Sequence, residues 1–220
     1  MSLALDHLVV AARTLEEGAA WLEARMGVPT VPGGRHALMG THNRLLGLGA
    51  GAYLEIIAID PQAPAPPRPR WFALDSPAMR SRLASGPALV HWVARTQDID
   101  AARASTPALV GEVLALSRGD YRWRIGVPTD GSLPGGGAFP TLIQWEGDRH
   151  PATALPDEGC ALERLTVRAP GGDGYLATLR RLGLAESAPV DVVESDAVGA
   201  SAILRSPRGM VILPEAAGAE

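Results

Sequence analysis

The sequence has no lysine, a single cysteine and no long apolar segment, and the last two features each exclude a class of protein. All 20 basic residues are arginine, which together with abundant Ala, Gly and Pro is typical of GC-rich coding and indicates no mechanism. The arginines form no basic cluster and the net charge is −4, so nucleic-acid binding is not expected. The lone Cys160 excludes an internal disulfide and a multi-cysteine zinc site.

No apolar run reaches the ~18 residues that a transmembrane helix requires. The apolar stretch near the N-terminus is interrupted by Asp6 and His7 and follows no basic segment, which is unlike a signal peptide. The expectation is therefore a cytoplasmic protein with no membrane partner. Apolar residues make up 46% of the 220-residue chain, enough for a packed core.

The first part of the chain has the pattern of a βαβββ unit. Residues 5–12 are strand-like, and "TLEEGAAWLEARMG" has a threonine N-cap, apolar residues near helical spacing and a terminal glycine. Three short strand-like segments follow, namely "PTVPG", "HNRLLGLG" and "YLEIIAID". This order predicts one strand, one helix and three further strands.

A second unit repeats this order. "ALVHWVARTQDIDA" again has a histidine within a strand and a helix start after it, which places His91 on His7. "GEVLALSR", "YRWRIGVP" and "TLIQWEG" predict three strands, and aligning "YLEII" with "LIQWE" places Gln144 on Glu55. This alignment needs about five inserted residues, for which the turn-rich "DGSLPGGGAFP" is the expected place.

The C-terminal segment looks like a partial third copy. "LERLTV" is similar to "LDHLVV", "GYLATLRRLG" predicts a helix, and "VDVVES" and "ASAILRSPRGMVIL" predict two or three strands. Arg164 stands at the place of His7, so this copy lacks the polar pair. The predicted organisation is a first module over 1–60, a connecting segment over 61–87 with a helix near Ser76–Leu83, a second module over 88–155, and a partial module over 156–220 packed on the sheet.

Side-chain alternation along the strands predicts which polar residues share a face. Each candidate is expected on one face with two neighbours: His7 with Leu5 and Val9, Glu55 with Tyr53 and Ile57, His91 with Leu89 and Val93, and Gln144 with Leu142 and Glu146. The opposite faces are apolar and are expected to pack on helices. One polar residue per strand, on the face away from the helices, is the pattern that a site inside a curved sheet requires.

Two βαβββ units with His on the first strand and Glu on the last resemble the vicinal oxygen chelate superfamily, and within it the glyoxalase-like domain proteins. The resemblance is carried by "LDHLVVAARTLEEGAAWLEARMGV", "GGRHALMGTHNRLLGLGAGAYLEIIAIDP", "LVHWVARTQDID", "RWRIGVP" and "LPGGGAFPTLIQWEGDRHPA". It implies an α+β fold in which paired βαβββ modules form a curved mixed sheet of the glyoxalase/bleomycin-resistance/dioxygenase type, with an additional C-terminal half-module. The superfamily includes isomerases, dioxygenases, epimerases, thiol transferases and antibiotic-binding proteins.

In metal-dependent members of this superfamily, the metal lies between two modules, each of which supplies ligands from its first and last strands. Carried over to this chain, the implied ligands are His7, Glu55, His91 and Gln144. They suit Zn²⁺, Ni²⁺, Fe²⁺, Co²⁺ or Mn²⁺, which would act as a Lewis acid. Gln144 departs from the commoner carboxylate, and Glu146 is a fallback ligand or base. Because other members lack a metal, the expected cofactor is either a divalent metal or none.

Other polar residues are candidates for contact with a substrate. Arg122 and Arg124 flank Trp123, and two interpretations stay open for the arginines: a solvent-facing side, or an anchor for a substrate carboxylate or for the buried glutamate. The hollow inside the curved sheet is called the cup below. The segment "GGRHALMGTHNRL" contains His36 and Asn43, which either line the mouth of the cup or lie on an exposed hairpin.

Two hypotheses for function follow. The first is a glyoxalase-like enzyme of isomerase, lyase or dioxygenase type, in which a metal binds a small oxygenated substrate and Glu55 or Glu146 moves a proton. The alternative is a metal-free protein of the same fold that binds a small molecule, as resistance proteins do. In both, the partner is a small-molecule ligand, and a homodimer is an arrangement that the sequence leaves open.

Overall fold

The strands form two sheets in the part of the chain that the computed structural model describes, residues 2–213. The first sheet contains β1 (Leu3–Ala11), β2 (Val31–His36), β3 (Thr41–Gly47), β4 (Tyr53–Ile59), β5 (Ala88–Thr96), β6 (Glu112–Arg118), β7 (Tyr121–Val127) and β8 (Thr141–Trp145). The second contains β9 (Ala161–Ala169), β10 (Val190–Glu194), β11 (Gly199–Ser206) and β12 (Gly209–Leu213).

Two equivalent four-stranded units form the first sheet, with the strand order β2-β3-β4-β1-β5-β8-β7-β6. In each unit the first strand pairs in parallel with the last, β1 with β4 and β5 with β8. The two first strands pair antiparallel with each other at the centre of the sheet. The sheet curls so that its edge strands β2 and β6 come into contact. The predicted α+β class with paired βαβββ modules in a curved mixed sheet is confirmed.

Six α-helices connect the strands within residues 2–213, and the first two have the end signals of capped helices. They are α1 (Leu15–Met26), α2 (Pro77–Ala84), α3 (Ile99–Ser105), α4 (Pro107–Val110), α5 (Pro151–Ala154) and α6 (Gly172–Arg181). The Thr14 hydroxyl accepts from the backbone N–H of Glu17, and Gly27 ends α1 in the left-handed conformation (φ 75°). Ser76 caps α2 in the same way, as the sequence predicts. No helix between residues 2 and 213 is long and apolar enough to span a bilayer.

The curled sheet separates two apolar cores. The outer core lies between the sheet, the helices and the C-terminal unit, and includes Leu8, Leu54 and Trp92. The inner core fills the hollow of the curl and includes Val9, Ile57 and Val93, together with side chains of α2 and of the connecting segment before it. The inner hollow is therefore largely packed, and only its polar end remains for a site.

The C-terminal unit differs in topology from the two modules. β9 lies inside its sheet, between β10 in parallel and β11 antiparallel, with β12 at the edge. In the modules, the parallel partner of the first strand is the fourth strand, not the one directly after the helix. The strands are where the sequence predicts them and follow the helix in the order βαβββ, but they pair in a different order from those of the modules. Local strand signals do not determine pairing order.

Close packing of α1 on β4 requires a glycine at position 18. A Cβ built there would lie 2.4 Å from Cγ2 of Ile56 and 2.9 Å from Cβ of Ala12. We expect Gly18→Ala to lower the free energy of unfolding by about 1–3 kcal/mol through overpacking. Gly174→Ala is the matched control, because it lies in α6 with no atom within 4 Å of the added Cβ. That variant should be more stable by about 0.5–1 kcal/mol. Urea unfolding measures both, and equal effects would contradict the packing assignment.

Candidate functional site

A β-bulge in β1 directs the side chain of Asp6 into the interior of the protein. Leu5 pairs with Ala94 and His7 pairs with Val93, so Asp6 is an extra residue in the ladder. A bulge of this kind re-aims a side chain. The Asp6 carboxylate is fully buried and accepts from three donors: Nδ1 of His7 at 2.6 Å, Nε1 of Trp145 at 2.9 Å and Nε2 of His150 at 2.9 Å.

His7 lies between two buried carboxylates. Its Nδ1 donates to Asp6, and its Nε2 is 3.6 Å from Oε2 of Glu55, a distance too long for a direct hydrogen bond. Glu55 is fixed from its other side, because Nδ2 of Asn43 donates to its Oε1 at 2.6 Å. Tyr53 stacks on the imidazole with ring centroids 4.5 Å apart. The imidazole and the Glu55 carboxylate therefore face each other across a gap.

The electrostatics of the site favour a charged pair. Burial opposes protonation of His7, but its hydrogen bond to Asp6 and its interactions with the charges of Asp6 and Glu55 outweigh this and raise its pKa to about 9. Burial disfavours the Glu55 carboxylate, but its interactions with His7, His36 and Asn43 lower its pKa to about 2. The Asp6 carboxyl is likewise buried, and its bonds to His150 and His7 hold its pKa far below the ordinary range. At neutral pH, His7 is an imidazolium between two carboxylates.

Asn43 and His36 extend the site toward the edge strands. The Asn43 Oδ1 accepts from the backbone N–H of Gly34 at 2.8 Å and from a guanidinium nitrogen of Arg118 at 3.2 Å. His36 is buried, its Nδ1 is 3.1 Å from the Thr41 hydroxyl, and burial lowers its pKa to about 4. The paired glycines before His36 give this network room, since a Cβ at Gly33 would lie 2.0 Å from Oδ1 of Asn43.

Aromatic side chains surround a small cavity beside these polar groups. The cavity measures about 30 Å³, room for one or two water molecules. Its lining combines the polar groups His7, His36, Asn43, Tyr53, Glu55 and Arg118 with the walls Trp71, Phe72, Trp123, Trp145, Ile125 and Ile143. Trp71 and Phe72 come from the connecting segment, in which Phe72 (φ 57°) and Ala73 (φ 55°) hold the left-handed conformation at a cost of about 1–3 kcal/mol each. This strained segment closes the cup.

His91 lies on the same face of the sheet as His7 but is sealed off from the cavity. It pairs across the sheet with Val9, and the Phe72 ring packs on it with centroids 5.7 Å apart. Its Nε2 accepts from the backbone N–H of Thr141 at 3.1 Å, and burial lowers its pKa to about 3. A buried, neutral imidazole with a used lone pair has the character of a wall residue.

The prediction that Gln144 and Glu146 share the face of the cup is wrong. Val93 pairs with Thr141 and Arg95 pairs with Ile143, so Thr141, Ile143 and Trp145 face inward. The Oε1 of Gln144 accepts from the backbone N–H of Ile99 at the start of α3, and Glu146 is exposed. Aligning Gln144 with Glu55 displaces β8 by one residue. Because side chains alternate along a strand, a displacement of one residue assigns every side chain to the wrong face.

Arg122 and Arg124 lie on the solvent-facing side of the sheet, which is the first of the two interpretations that the sequence left open. Arg122 is exposed, and Arg124 forms a bidentate pair with Asp100 of α3. Neither faces the cup, whereas Trp123 between them does, as do His36 and Asn43. The arginine that lines the cup is Arg118, at the far end of the β6–β7 hairpin. No local signal marks it, because its position depends on contact between the two edge strands.

The four ligands that the resemblance implies do not form a metal site. Among residues 2–213, no group of three or more His, Cys, Asp or Glu side chains could hold a metal ion. His7 and Glu55 are together, His91 is covered by Phe72, and Gln144 lies on the opposite face. Both nitrogens of His7 face carboxylates, which suits a protonated ring better than a metal ligand.

The charge on His7 makes stability depend on pH. Because its pKa is raised to about 9, its contribution to the free energy of unfolding is complete below the ordinary value of 6.5 and is lost as the pH rises toward about 9. The pKa values of Asp6 and Glu55 are instead lowered from their ordinary values of 3.8 and 4.5. The contribution of these carboxylates to the free energy of unfolding is therefore complete above those values and is lost as the pH falls below them. We expect the stability difference between wild type and His7→Gln to be largest near about pH 6 and to shrink by about pH 9.5. A constant difference in urea unfolding would contradict a charged His7.

Removal of the buried Asp6 charge should affect stability more than removal of any surface carboxylate. Asp6→Asn leaves donors without an anionic acceptor, and we expect the free energy of unfolding to fall by about 3 kcal/mol. Asp120→Asn is the control, because its pair with Arg149 is exposed, with side-chain exposures of 74% and 69%. Urea unfolding at neutral pH compares the two, and equal effects would argue against Asp6 as the organising group.

Comparisons with known proteins agree with this architecture. A family model described as a glyoxalase-like domain matches residues 5–183. A search of curated proteins found no match. Among solved structures, a hypothetical protein from Staphylococcus aureus is similar at 15% identity over 96% of this chain and 84% of that chain, with a TM-score of 0.55.

Methylmalonyl-CoA epimerases are further similar structures. The enzyme from Mycobacterium tuberculosis is 20% identical over 66% of this chain and 89% of its own, with a TM-score of 0.42. A variant of the Streptomyces coelicolor enzyme is 18% identical over 67% of this chain and 100% of its own, with a TM-score of 0.43. Because the family model covers most of the sequence, the chain belongs to the glyoxalase-like domain family.

Proposed function

We propose that the protein is an isomerase-type enzyme that moves a proton on a small oxygenated carbon acid. Glu55 is the base and His7 is the hydrogen-bond donor to the oxygen of the substrate. The observation that carries the proposal is the arrangement of these two groups: Oε2 and Nε2 are 3.6 Å apart beside the cavity, and each residue is fixed from its far side by a short hydrogen bond. A substrate in the cavity can approach both groups from the same side.

The proposed step is the formation and collapse of an enolate. The C–H bond next to a carbonyl group breaks, its proton passes to Oε2 of Glu55, and the electron pair moves onto the carbonyl oxygen. The Nε2–H of His7 donates to that oxygen as negative charge develops. Return of the proton to the opposite face of the same carbon gives the epimer. Where that carbon carries a hydroxyl group, the hydroxyl proton passes to the former carbonyl oxygen and the carbon-bound proton returns to the neighbouring carbon, which gives the isomeric carbonyl compound. In both cases atoms and charge balance without a further reactant.

The low pKa of Glu55 defines what the other groups must do. A carboxylate with a pKa near 2 is a weak base, so the enolate has to be strongly stabilised for the proton to move. The buried imidazolium supplies this stabilisation, because a fixed charge in a site with little water acts strongly on a developing oxyanion. When the substrate oxygen takes the Nε2–H, Glu55 also loses part of the interaction that lowers its pKa, and it becomes a stronger base.

The donor set does not fit a metal, and the proposal routes no step through one. Asp6 orients the His7 ring and keeps it protonated. A protonated ring cannot be a metal ligand. His150 and Trp145 in turn fix Asp6. The reactive pair is thus held by hydrogen bonds from both modules.

Hydrogen–deuterium exchange at carbon tests the proposal without knowledge of the product. Small carbonyl compounds in D₂O, including pyruvate, 2-oxobutyrate, hydroxyacetone and glyceraldehyde, are followed by proton NMR with and without the protein. We expect catalysed exchange next to the carbonyl group of at least one, and a loss of about 100-fold or more in Glu55→Gln and in His7→Gln. Glu163→Gln is the control, because that glutamate lies on the exposed side of β9, paired with Arg205.

Two results would contradict the assignment. Exchange that persists in Glu55→Gln would show that another group is the base. Binding of these compounds, detected through the tryptophans of the cup, with no exchange in the wild type would favour the alternative of a metal-free binding protein.

A further inference from the structure

Arg118 reaches the cup from the opposite module. It is the last residue of β6, the edge strand of the second module, and it crosses to β2 and β3 of the first. Its side chain passes over Gly34, where an added Cβ would lie 2.4 Å from its Cδ. The path of the Arg118 side chain therefore requires a glycine at position 34 of the first module. The guanidinium has a defined place in the wall of the cup.

The charge of Arg118 has no counter-charge in the described part of the chain. No carboxylate there lies within 4.0 Å, and its hydrogen-bonding neighbours are Oδ1 of Asn43 at 3.2 Å and Nε2 of His36 at 3.4 Å. Both are neutral, because burial keeps His36 unprotonated at neutral pH. Both contacts use the same guanidinium nitrogen, and the guanidinium carbon lies 5.8 Å from the centroid of the Tyr121 ring.

Several exposed arginines of the same molecule do have a carboxylate partner. Arg13 pairs with Glu17, and Arg149 pairs with Asp120, although these arginine side chains are 61% and 69% exposed. Arg124, on the strand next to β6, is also paired. An arginine that lines a cavity costs more to leave unpaired than one in water. The missing partner of Arg118 is therefore expected to be a ligand.

We propose that Arg118 binds a carboxylate of the substrate, so that the substrates are small carbonyl compounds that also carry a carboxylate, such as 2-oxo acids. The inference rests on the proposed function and names its substrate class. A guanidinium fork matches the geometry of a carboxylate with two parallel hydrogen bonds. Its charge also offsets the repulsion between an acid and Glu55, which a neutral anchor would not.

The geometry sets the length of such a substrate. One carboxamide, that of Asn43, spans the distance between the two ends: its Nδ2 holds Glu55 and its Oδ1 holds Arg118. The carboxylate and the reacting carbon are therefore close neighbours in the substrate. The small cavity and its walls of Trp71 and Trp123 admit few further atoms.

A matched pair of probes tests the charge requirement. Pyruvate and its neutral methyl ester are compared in the carbon exchange assay with the whole protein, after subtraction of the uncatalysed rate. We expect the wild type to favour pyruvate in kcat/KM by about 10- to 100-fold, the range for one charge-assisted interaction. Arg118→Gln should remove this preference by slowing pyruvate alone, and Arg118→Lys should restore part of it. Arg122→Gln, an exposed residue on the adjoining strand, is the control and should change neither probe.

Binding of pyruvate, followed through tryptophan fluorescence, separates the two levels of the proposal. Exchange that depends on Glu55 but treats both probes alike in wild type and Arg118→Gln would overturn the substrate class and leave the proposed function standing. Pyruvate binding that is lost in Arg118→Gln, without exchange in the wild type, would support the carboxylate site and overturn the enzymatic function. The absence of both binding and exchange would overturn both. Urea unfolding of each variant confirms that a loss is not a loss of fold.

Discussion

The carboxylate of Asp6 is the group on which the arrangement of the site depends. It is fully buried, and a buried charge of this kind is tolerated only because three donors surround it. The donors come from β1, from β8 and from the residue that caps α5, so one side chain connects the two modules at the mouth of the curl. The position and charge of His7 follow from this contact.

The cup combines charge with the exclusion of water. Its polar residues line one end of an inner hollow that is otherwise packed with apolar side chains, and the strained segment at Phe72 covers it. In such surroundings, the imidazolium and the guanidinium act on a ligand with little screening. Burial makes these charges destabilising when they have no partner, and it also strengthens their attraction for a substrate. The stability of the site and the chemistry proposed for it therefore have the same physical origin.

Much of the fold could be predicted because its signals are local and repeated. The histidine-bearing strands, the threonine and serine caps and the glycine that ends α1 are short-range features, and two copies support each other. The face of β8 could not be predicted from alternation, because it depends on where the extra residues of the second module are placed. The inward position of Asp6 could not be predicted either, because alternation takes no account of a bulge. Arg118 and Phe72 carried no signal, because long-range closure of the sheet brings them to the cup.

The protonation state of His7 is the most direct test of this account. Nitrogen-15 NMR of the uniformly labelled protein distinguishes protonated from unprotonated ring nitrogens, and the spectrum of His7→Gln assigns the signals. At about pH 7, the account predicts that both nitrogens of His7 carry protons, while His36 and His91 are neutral, in keeping with their raised and lowered pKa values. A neutral His7 at that pH would contradict the ion pair with Asp6 and Glu55, and with it the proposed acid–base chemistry.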